Sequence, residues 1–475
     1  METRLFINGT WKKAANGTFA VKNPANNEEI GQAADGGADE TKEAIEAAEA
    51  AFPSWSHRTA GDRASYLKEI HRLMMEKQDE LGELITREMG KPLHEAKGEV
   101  AYAASFLEWF AEEGRRIYGD TIPAGSPDKR MMVLHQPVGV TAAITPWNFP
   151  QAMVTRKVAP ALAAGCPVVL KPAEDTPLSA VRFAEICEEA GLPDGVFNLI
   201  TGEDAAAIGG ELMGSQAVRK MTFTGSTGVG QTLMEQGASD IKKLSLELGG
   251  HAPVIVLDDA DMEKAVDGTV ASKFRNAGQT CVCGNRIYVE EAIHDTFVDR
   301  LKEEVEKLQV GDGFAEGTSV GPMINKEGWD KVDRHVKDAL DKGAELVTGG
   351  RGWEENGGWF YEPTILKNVT SDMIIMEEET FGPVAPIQKV SSDEEAVRHA
   401  NNSPFGLASY FFTESMSRGV KTAEGLEFGI VGWNDGRPSA AQAPFGGWKQ
   451  SGIGREGGHE GIKPFLETKY ISIGL

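Results

Sequence analysis

Four cysteines in 475 residues are too few for a disulfide framework, and Cys166, Cys187, Cys281 and Cys283 fall at no zinc-finger spacing, which points to a reducing compartment. No apolar run reaches the ~18 residues of a membrane span. The start, METRLFINGTW, lacks a basic-then-apolar leader pattern, so a cytoplasmic protein with no membrane partner is expected. Positive charge is scarce as well: 48 Lys plus Arg stand against 72 Asp plus Glu, a net of −24, which repels phosphate backbones and argues against a nucleic-acid partner. The familiar short motifs are missing too. Without GxGxxG, GxxxxGK or HExxH, a simple dinucleotide fold, a P-loop and a zincin lose support, and no metal site is expected. Gly317-Thr318-Ser319-Val320-Gly321 spells a serine-hydrolase elbow, but a glycine-rich loop precedes it and Pro322 follows at once, where an elbow needs a strand and then a helix.

What is present reads as a packed α/β protein of two or three domains, with 41% apolar residues and 55 glycines in short turn-like clusters. Residues 40–118 have helical spacing, with Ala44, Ala47, Ala48 and Ala51 on one face and Leu67, Ile70, Leu73 and Met74 on another. Pro53, Gly61-Asp62 and Gly90-Lys91-Pro92 separate these helices. A turn-rich 119–127 followed by a strand at 131–135 forms a hairpin arm, and Asn8-Gly9-Thr10 and Asn16-Gly17-Thr18 read as hairpin turns rather than glycosylation sites. Apolar β-type runs at 139–144, 167–170, 197–200, 220–224 and 253–257 then alternate with helical patterns such as 178–190, the signature of a parallel sheet covered by helices. A second α/β series follows, with a helix at 262–276, a strand at 286–289 and a helix carrying Ile293, Phe297, Leu301, Val305 and Leu308 on one stripe. Residues 469–473 alternate like an edge strand.

Cys281, in Gly278-Gln279-Thr280-Cys281, occupies the loop between the second series' first helix and strand, where a side chain can face a cleft. A cysteine there is either a small core residue or a nucleophile, and a nucleophile needs a base and an oxyanion donor. Asn148, held in the stiff Thr145-Pro146-Trp147-Asn148-Phe149-Pro150, offers an amide, unless that segment is an ordinary turn. Glu247 in Leu246-Glu247-Leu248-Gly249-Gly250 is a carboxylate in apolar surroundings that would raise its pKa, unless it is salt-bridged or solvated. The run from Phe223 to Gly230 ends a strand and opens a helix where a diphosphate could rest, although a glycine loop alone is weak support.

Taken together and in order, TPWNFP at 145, KPAEDTP at 171, FTGSTGVG at 223, LELGG at 246, GQTC at 278, ETFGPV at 379 and PFGGWKQSGIGRE at 444 resemble the aldehyde dehydrogenase superfamily over nearly the whole chain. The resemblance implies a Rossmann-like cofactor domain (1–118 and 138–249), an α/β catalytic domain (250–445) and a β arm (119–137 and 455–475) that joins subunits into a homodimer or homotetramer. It makes Cys281 the nucleophile, Asn148 the oxyanion donor and Glu247 the base that activates water against a thioester. Lys171 and Glu174 would hold the adenine-side ribose, Ser226 the diphosphate and Glu379 the nicotinamide ribose, with Trp147, Gly225, Gly230, Leu248 and Phe381 completing the cofactor site. Glu174 would repel a 2′-phosphate, so NAD is the preferred cofactor, with NADP possible.

Within the superfamily, Thr155-Arg156-Lys157, Phe274-Arg275-Asn276 and Cys281-Val282-Cys283 are most similar to succinate-semialdehyde dehydrogenases. That likeness assigns Arg156, Arg275 and Ser439 to the distal carboxylate of a small aldehyde substrate. Glutarate semialdehyde and uncharged aldehydes stay open, because Arg437 beside Ser439 adds a further charge. It also implies a redox switch in which Cys283 forms a strained disulfide with Cys281.

Overall fold

The computed structural model describes residues 3–475. The helical stretch resolves into four helices, Ala38–Ser56, Ala60–Glu76, Gln78–Met89 and Leu93–Glu113. The breaks differ from those expected. Pro53 lies inside the first helix, three residues before its end, and Gly61-Asp62 lies in the first turn of the second. There the Thr59 hydroxyl accepts from Asp62 N while the Asp62 carboxylate accepts from Thr59 N, a capping box that turns an apparent breaker into a start signal. Gly90 does end the third helix, at φ +89.

The first of these helices packs with Ala205–Gly214 on one face, and the other three with Ala152–Ala164 and Pro177–Glu189 on the opposite face, of an eight-stranded sheet ordered Thr10–Lys12, Leu5–Ile7, Phe197–Leu199, Val168–Lys171, Val140–Ile144, Val218–Thr224, Lys243–Glu247 and Gly452–Ile453. The five strands from Phe197–Leu199 to Lys243–Glu247 are mutually parallel, so their C-terminal ends open on one edge. Asn8 and Gly9, at φ 52 and 69, make the tight turn between the two N-terminal strands. Asn16-Gly17 is also a turn, but it joins strands of different sheets: Thr18–Lys22 pairs with Glu29–Ala34 in a separate ladder.

A second sheet of seven strands follows the order Glu345–Thr348, Thr364–Lys367, Val384–Val390, Gly284–Glu290, Ala252–Val256, Ala408–Phe412 and Ile430–Trp433. Every pair in it is parallel except the first. Apolar clusters cover both faces of each sheet, which is why the strands read as continuous rather than alternating runs. The arm is Asp120–Ile122 paired with Lys129–Pro137, and the C-terminal strand Leu466–Gly474 lies antiparallel along all nine residues of the latter within the same chain. Among the described residues no helix is long and apolar enough to cross a membrane. Ser319 sits in the short strand Thr318–Val320, followed by no helix until Lys326, so the elbow geometry is absent.

The helix expected over 262–276 stops at Lys273. Asn276 and Ala277 are left-handed, at φ 54 and 56, and Gly278 follows at φ +72. A Cβ on Gly278 would lie 2.2 Å from the Gly382 carbonyl oxygen, so the turn is both conformationally and sterically reserved. Gly278→Ala is expected to destabilise the protein by about 1–3 kcal/mol and to lower turnover more than any substitution at the exposed Gly17 turn, as read by thermal melts and initial rates.

Candidate active site

Four adjacent parallel strands end at one edge of the first sheet, and each is followed directly by a residue singled out in the sequence. Val140–Ile144 leads to Trp147 and Asn148, Val168–Lys171 ends on Lys171 with Glu174 beyond it, Val218–Thr224 leads to Gly225 and Ser226, and Lys243–Glu247 ends on Glu247. Ligand crevices form at such carboxyl ends in parallel sheets. The second sheet answers from the N-terminal ends of its strands, placing Cys281 before Gly284–Glu290 and Glu379 and Phe381 before Val384–Val390.

Between the two sheets lies a cavity of about 660 Å³ whose lining includes Trp147, Asn148, Gly225, Ser226, Leu248, Cys281, Glu379 and Phe381. Trp147 and Phe381 meet edge to face across it, centroids 5.5 Å apart. Gly230 is buried in the helix Thr227–Gly237, where a Cβ would come within 2.5 Å of Leu248. Ser226 caps that helix, accepting from Val229 N at 3.4 Å, and the buried Thr227 hydroxyl beside it has no partner. A second cavity of about 270 Å³, lined by Glu174, shares Ile324 and Asn325 with the first. Lys171 is buried and pairs with Glu174 at 2.9 Å. Two adjoining chambers, a helix N-terminus with an unmet hydroxyl between them and a carboxylate at the far end fit an extended dinucleotide.

Cys281 is part-exposed to the larger cavity and free, as are the other three cysteines. Burial pushes its thiol up to about 12; Arg156 pulls down, while Glu379 and Glu247 push further up. The Asn148 amide nitrogen donates to the Gln279 carbonyl at 3.1 Å, two residues before Cys281, which fixes the side chain beside the nucleophile. Gly250 lets this loop close, since a Cβ there would sit 2.2 Å from the Cys281 carbonyl oxygen, and its N–H donates to Glu379 at 3.0 Å. Burial lifts Glu379 to about 7.

Glu247 is buried outside the cavity lining, with one carboxylate oxygen unpartnered. Burial first, then repulsion from Glu456, holds its pKa well above the ordinary carboxylate range, against the pull of Arg156, Lys157 and Arg455. Glu456 in turn is bonded to Lys157, and Arg156 Nε lies 3.0 Å from it. Arg156 is buried with its guanidinium 3.8 Å over the Phe445 ring, and its Nη2 has no partner. Arg275 lines a separate cavity of about 540 Å³ together with Arg437 and Ser319. Ser439 is part-buried in the loop after Ile430–Trp433 and borders neither chamber.

Cys283 is fully buried. Its sulfur accepts from Lys273 Nζ at 3.2 Å and donates to the Lys273 carbonyl at 3.4 Å. A disulfide with Cys281 therefore requires Cys283 to leave Lys273 as well as the loop to bend.

The family model for the aldehyde dehydrogenase family matches residues 11–471. The chain belongs to the aldehyde dehydrogenase family. It is similar to the NADP(+) succinate-semialdehyde dehydrogenase of Escherichia coli K12, 55% identical over 99% of this chain and 97% of that protein. It is also similar to the glutarate-semialdehyde dehydrogenase of Pseudomonas aeruginosa, 54% identical over the same shares. The crystal structure of succinate-semialdehyde dehydrogenase from Burkholderia pseudomallei superposes with a TM-score of 0.98 at 51% identity, covering 100% of this chain and 98% of that one. This aldehyde dehydrogenase is thus an NAD(P)-dependent oxidoreductase acting on an aldehyde.

Several residues around the aldehyde dehydrogenase centre escaped the sequence reading. Glu456 was quoted inside a motif without a role, Lys91 was taken for a turn residue, and Asn276 for the last residue of a helix. Tyr102, on the helix Leu93–Glu113, has a phenol whose pKa is raised by burial, with the charges of Arg156 and Arg275 opposing the rise and those of Glu456 and Cys281 adding to it. Its only sequence signal is a polar-tipped aromatic on a helix otherwise filled with Ala, Phe and Leu.

If Glu247 is the base, its base form is gained only as pH rises through its elevated pKa, so turnover is expected to climb with pH along a limb set above the ordinary carboxylate range. Glu247→Gln should cut steady-state turnover by about 100- to 10,000-fold while a single burst of reduced cofactor persists. Alkylation of Cys281 by iodoacetamide should keep rising past pH 9, and a plateau near pH 7 would contradict the buried, protonated thiol.

Proposed function

We propose that this chain oxidises succinate semialdehyde to succinate with NAD as its preferred acceptor. The observation that carries the substrate is an arginine pair without a full complement of partners: Arg156 has a free buried Nη2, and Arg275 makes no ion pair among the described residues. The charges of both arginines reach the Tyr102 phenol, as does that of Cys281, which supports a carboxylate site within reach of the sulfur. Arg275 stands over the Phe149 ring at 5.4 Å, which keeps its plane on the wall of the Asn148 loop.

The chemistry follows from the neighbours of Cys281. Glu247 takes the thiol proton and passes it to solvent, the Arg156 charge favouring the thiolate against burial, and the sulfur attacks the aldehyde carbon. The oxyanion that forms lies between the Asn148 amide and the Cys281 N–H, donors already in place before charge develops. Ser226, Glu379 and Glu174 would hold a nicotinamide dinucleotide, which would supply the hydride acceptor for oxidation to the thioester level. Glu247, kept basic enough by burial and by Glu456, then draws a proton from water as it attacks the thioester. The carboxylate leaves and Cys281 is regenerated.

Glutarate semialdehyde is the second reading, favoured by Arg437, which lies exposed in the Arg275 chamber and makes no ion pair among the described residues. A tail one carbon longer would bring its carboxylate toward that guanidinium.

For the cofactor, Glu174 supports NAD: a carboxylate ~4 Å from a 2′-phosphate costs about 1–4 kcal/mol, depending on the effective dielectric, and Lys171 is already committed to Glu174. The E. coli relative carries NADP(+) in its name.

Initial rates with succinate semialdehyde, glutarate semialdehyde and butanal should favour the first by more than tenfold over butanal, and Arg275→Ala should abolish that lead while sparing butanal; an equal rate with butanal in the parent enzyme would remove the substrate assignment. Glu174→Ser should raise kcat/KM for NADP relative to NAD by about tenfold, within the free-energy range given by the charge repulsion. Equal use of both cofactors by the parent enzyme would overturn the preference.

A further inference from the structure

The peptide segment that carries Asn148 is gripped from behind by a buried ion pair on the helical layer. Lys91, in the Gly90-Lys91-Pro92 break, is 2% exposed, and Glu99, two turns into the next helix, is 3% exposed. Lys91 Nζ donates to Glu99 Oε2 at 2.5 Å and to the Asn148 carbonyl at 2.7 Å, with the Phe149 ring centroid 3.8 Å away. The other oxygen of Glu99 accepts from Gln151 N at 2.9 Å and from Ala152 N at 3.3 Å, the first N–H groups of the helix Ala152–Ala164. One charge thus holds the carbonyl of residue 148 and the other holds the N–H groups three and four residues on. From the front, Asn276 Nδ2 donates to the same Asn148 carbonyl at 3.1 Å and to Gln279 O at 3.2 Å. Glu95 and Arg275 are the other charged groups that face Lys91.

We propose that Lys91 and Glu99 are positioning residues for oxyanion stabilisation: they fix the backbone of residues 148–152 so that the Asn148 amide meets the tetrahedral oxyanion on Cys281. Two observations separate this from a plain structural role. A fully buried ion pair adds little net stability compared with apolar residues of the same volume. This pair also spends its free valences on the one peptide segment that presents Asn148, not on the rest of the helical layer. A donor displaced by ~1 Å from the developing charge forfeits on the order of 100-fold in rate, so loss of the grip has a kinetic signature even where the fold survives. The proposal depends on aldehyde oxidation at Cys281 and not on which semialdehyde is the substrate.

The test is a double-mutant cycle read by single-turnover formation of reduced cofactor, with propanal as a substrate that avoids the arginine pocket. Lys91→Met should slow the single turnover by about 10- to 100-fold with KM changed less than threefold. In an Asn148→Ala background the same substitution should have less than a twofold effect, because the group it positions is gone. Glu99→Gln, which preserves shape, should show the same pattern at smaller size, and it carries the test if Lys91→Met does not fold. Lys91→Arg should restore part of the rate by keeping a donor on the carbonyl. Equal losses in the parent and Asn148→Ala backgrounds, or a rise in KM with the single-turnover rate intact, would overturn the proposal. Thermal midpoint and the alkylation rate of Cys281 are measured alongside; a rate loss that merely tracks a lowered midpoint counts against it.

Discussion

Two successive left-handed residues, Asn276 and Ala277, turn the chain out of a helix and across the gap between the sheets, and the arrangement of the site follows from that turn. The excursion costs on the order of 1–2 kcal/mol per residue. It is offset by hydrogen bonds available only in that conformation. Asn276 N donates to Glu95, its side-chain amide reaches the Asn148 and Gln279 carbonyls, and Gln279 spans to Pro322 and Ile324. The Cys281 loop is therefore tied to the Asn148 loop of the other sheet by two asparagine side chains, Asn276 and Asn148. Movement of either sheet against the other would pull on this tie before it opened the distance between Cys281 and Asn148.

The electrostatics of the centre have one sign. Burial raises the pKa of Cys281, Glu247 and Glu379 alike, and the two carboxylates raise Cys281 further. Arg156 and Lys157 answer them, but both are shared with Glu456, whose carboxyl they hold below its ordinary range in spite of burial. The site thus sets acids whose ionisation burial disfavours beside a cation pair neutralised by Glu456. Such a site is readied for charge by what enters it: a cation in the larger cavity favours thiolate, and a carboxylate on Arg156 loosens its hold on Glu456.

Much of this was legible in the chain. The nucleotide-side residues came from the family resemblance, whereas the parallel strands, and Cys281, Asn148 and Glu247 as candidates, could be read from apolar runs followed by short polar or glycine-rich turns. Residues whose meaning lies in distant partners could not. Lys91 acts 57 positions away on Asn148, and its own neighbours, Gly90 and Pro92, advertise a break and nothing else. Pro53 misled in the other direction, because the helix runs on through it for three more residues. Asn276 looked helical by periodicity, and only the close approach of Gly278 to the Gly382 carbonyl explains why the helix had to stop. Arg156 was assigned to a ligand from its motif, whereas its companion Glu456 became visible only when the chain's last glycine-rich segment folded back under it.

That last segment has a consequence in time. Lys157 and the carboxylate that neutralises it are 299 positions apart, and the first sheet's edge strand and the partner of the arm come later still or nearby. On a ribosome adding about 5–20 residues per second, the cofactor-side layer spends roughly 15 to 60 s with two cations in its interior and no counter-charge. Until the final stretch emerges, Arg156 and Lys157 favour an open, hydrated packing around the helix that bears them. The dry interior in which Glu247 can act as a base is thus among the last features of the molecule to form, so a chain that stops short of Glu456 lacks the electrostatic setting for the chemistry even though Cys281, Asn148 and Glu247 have all been made.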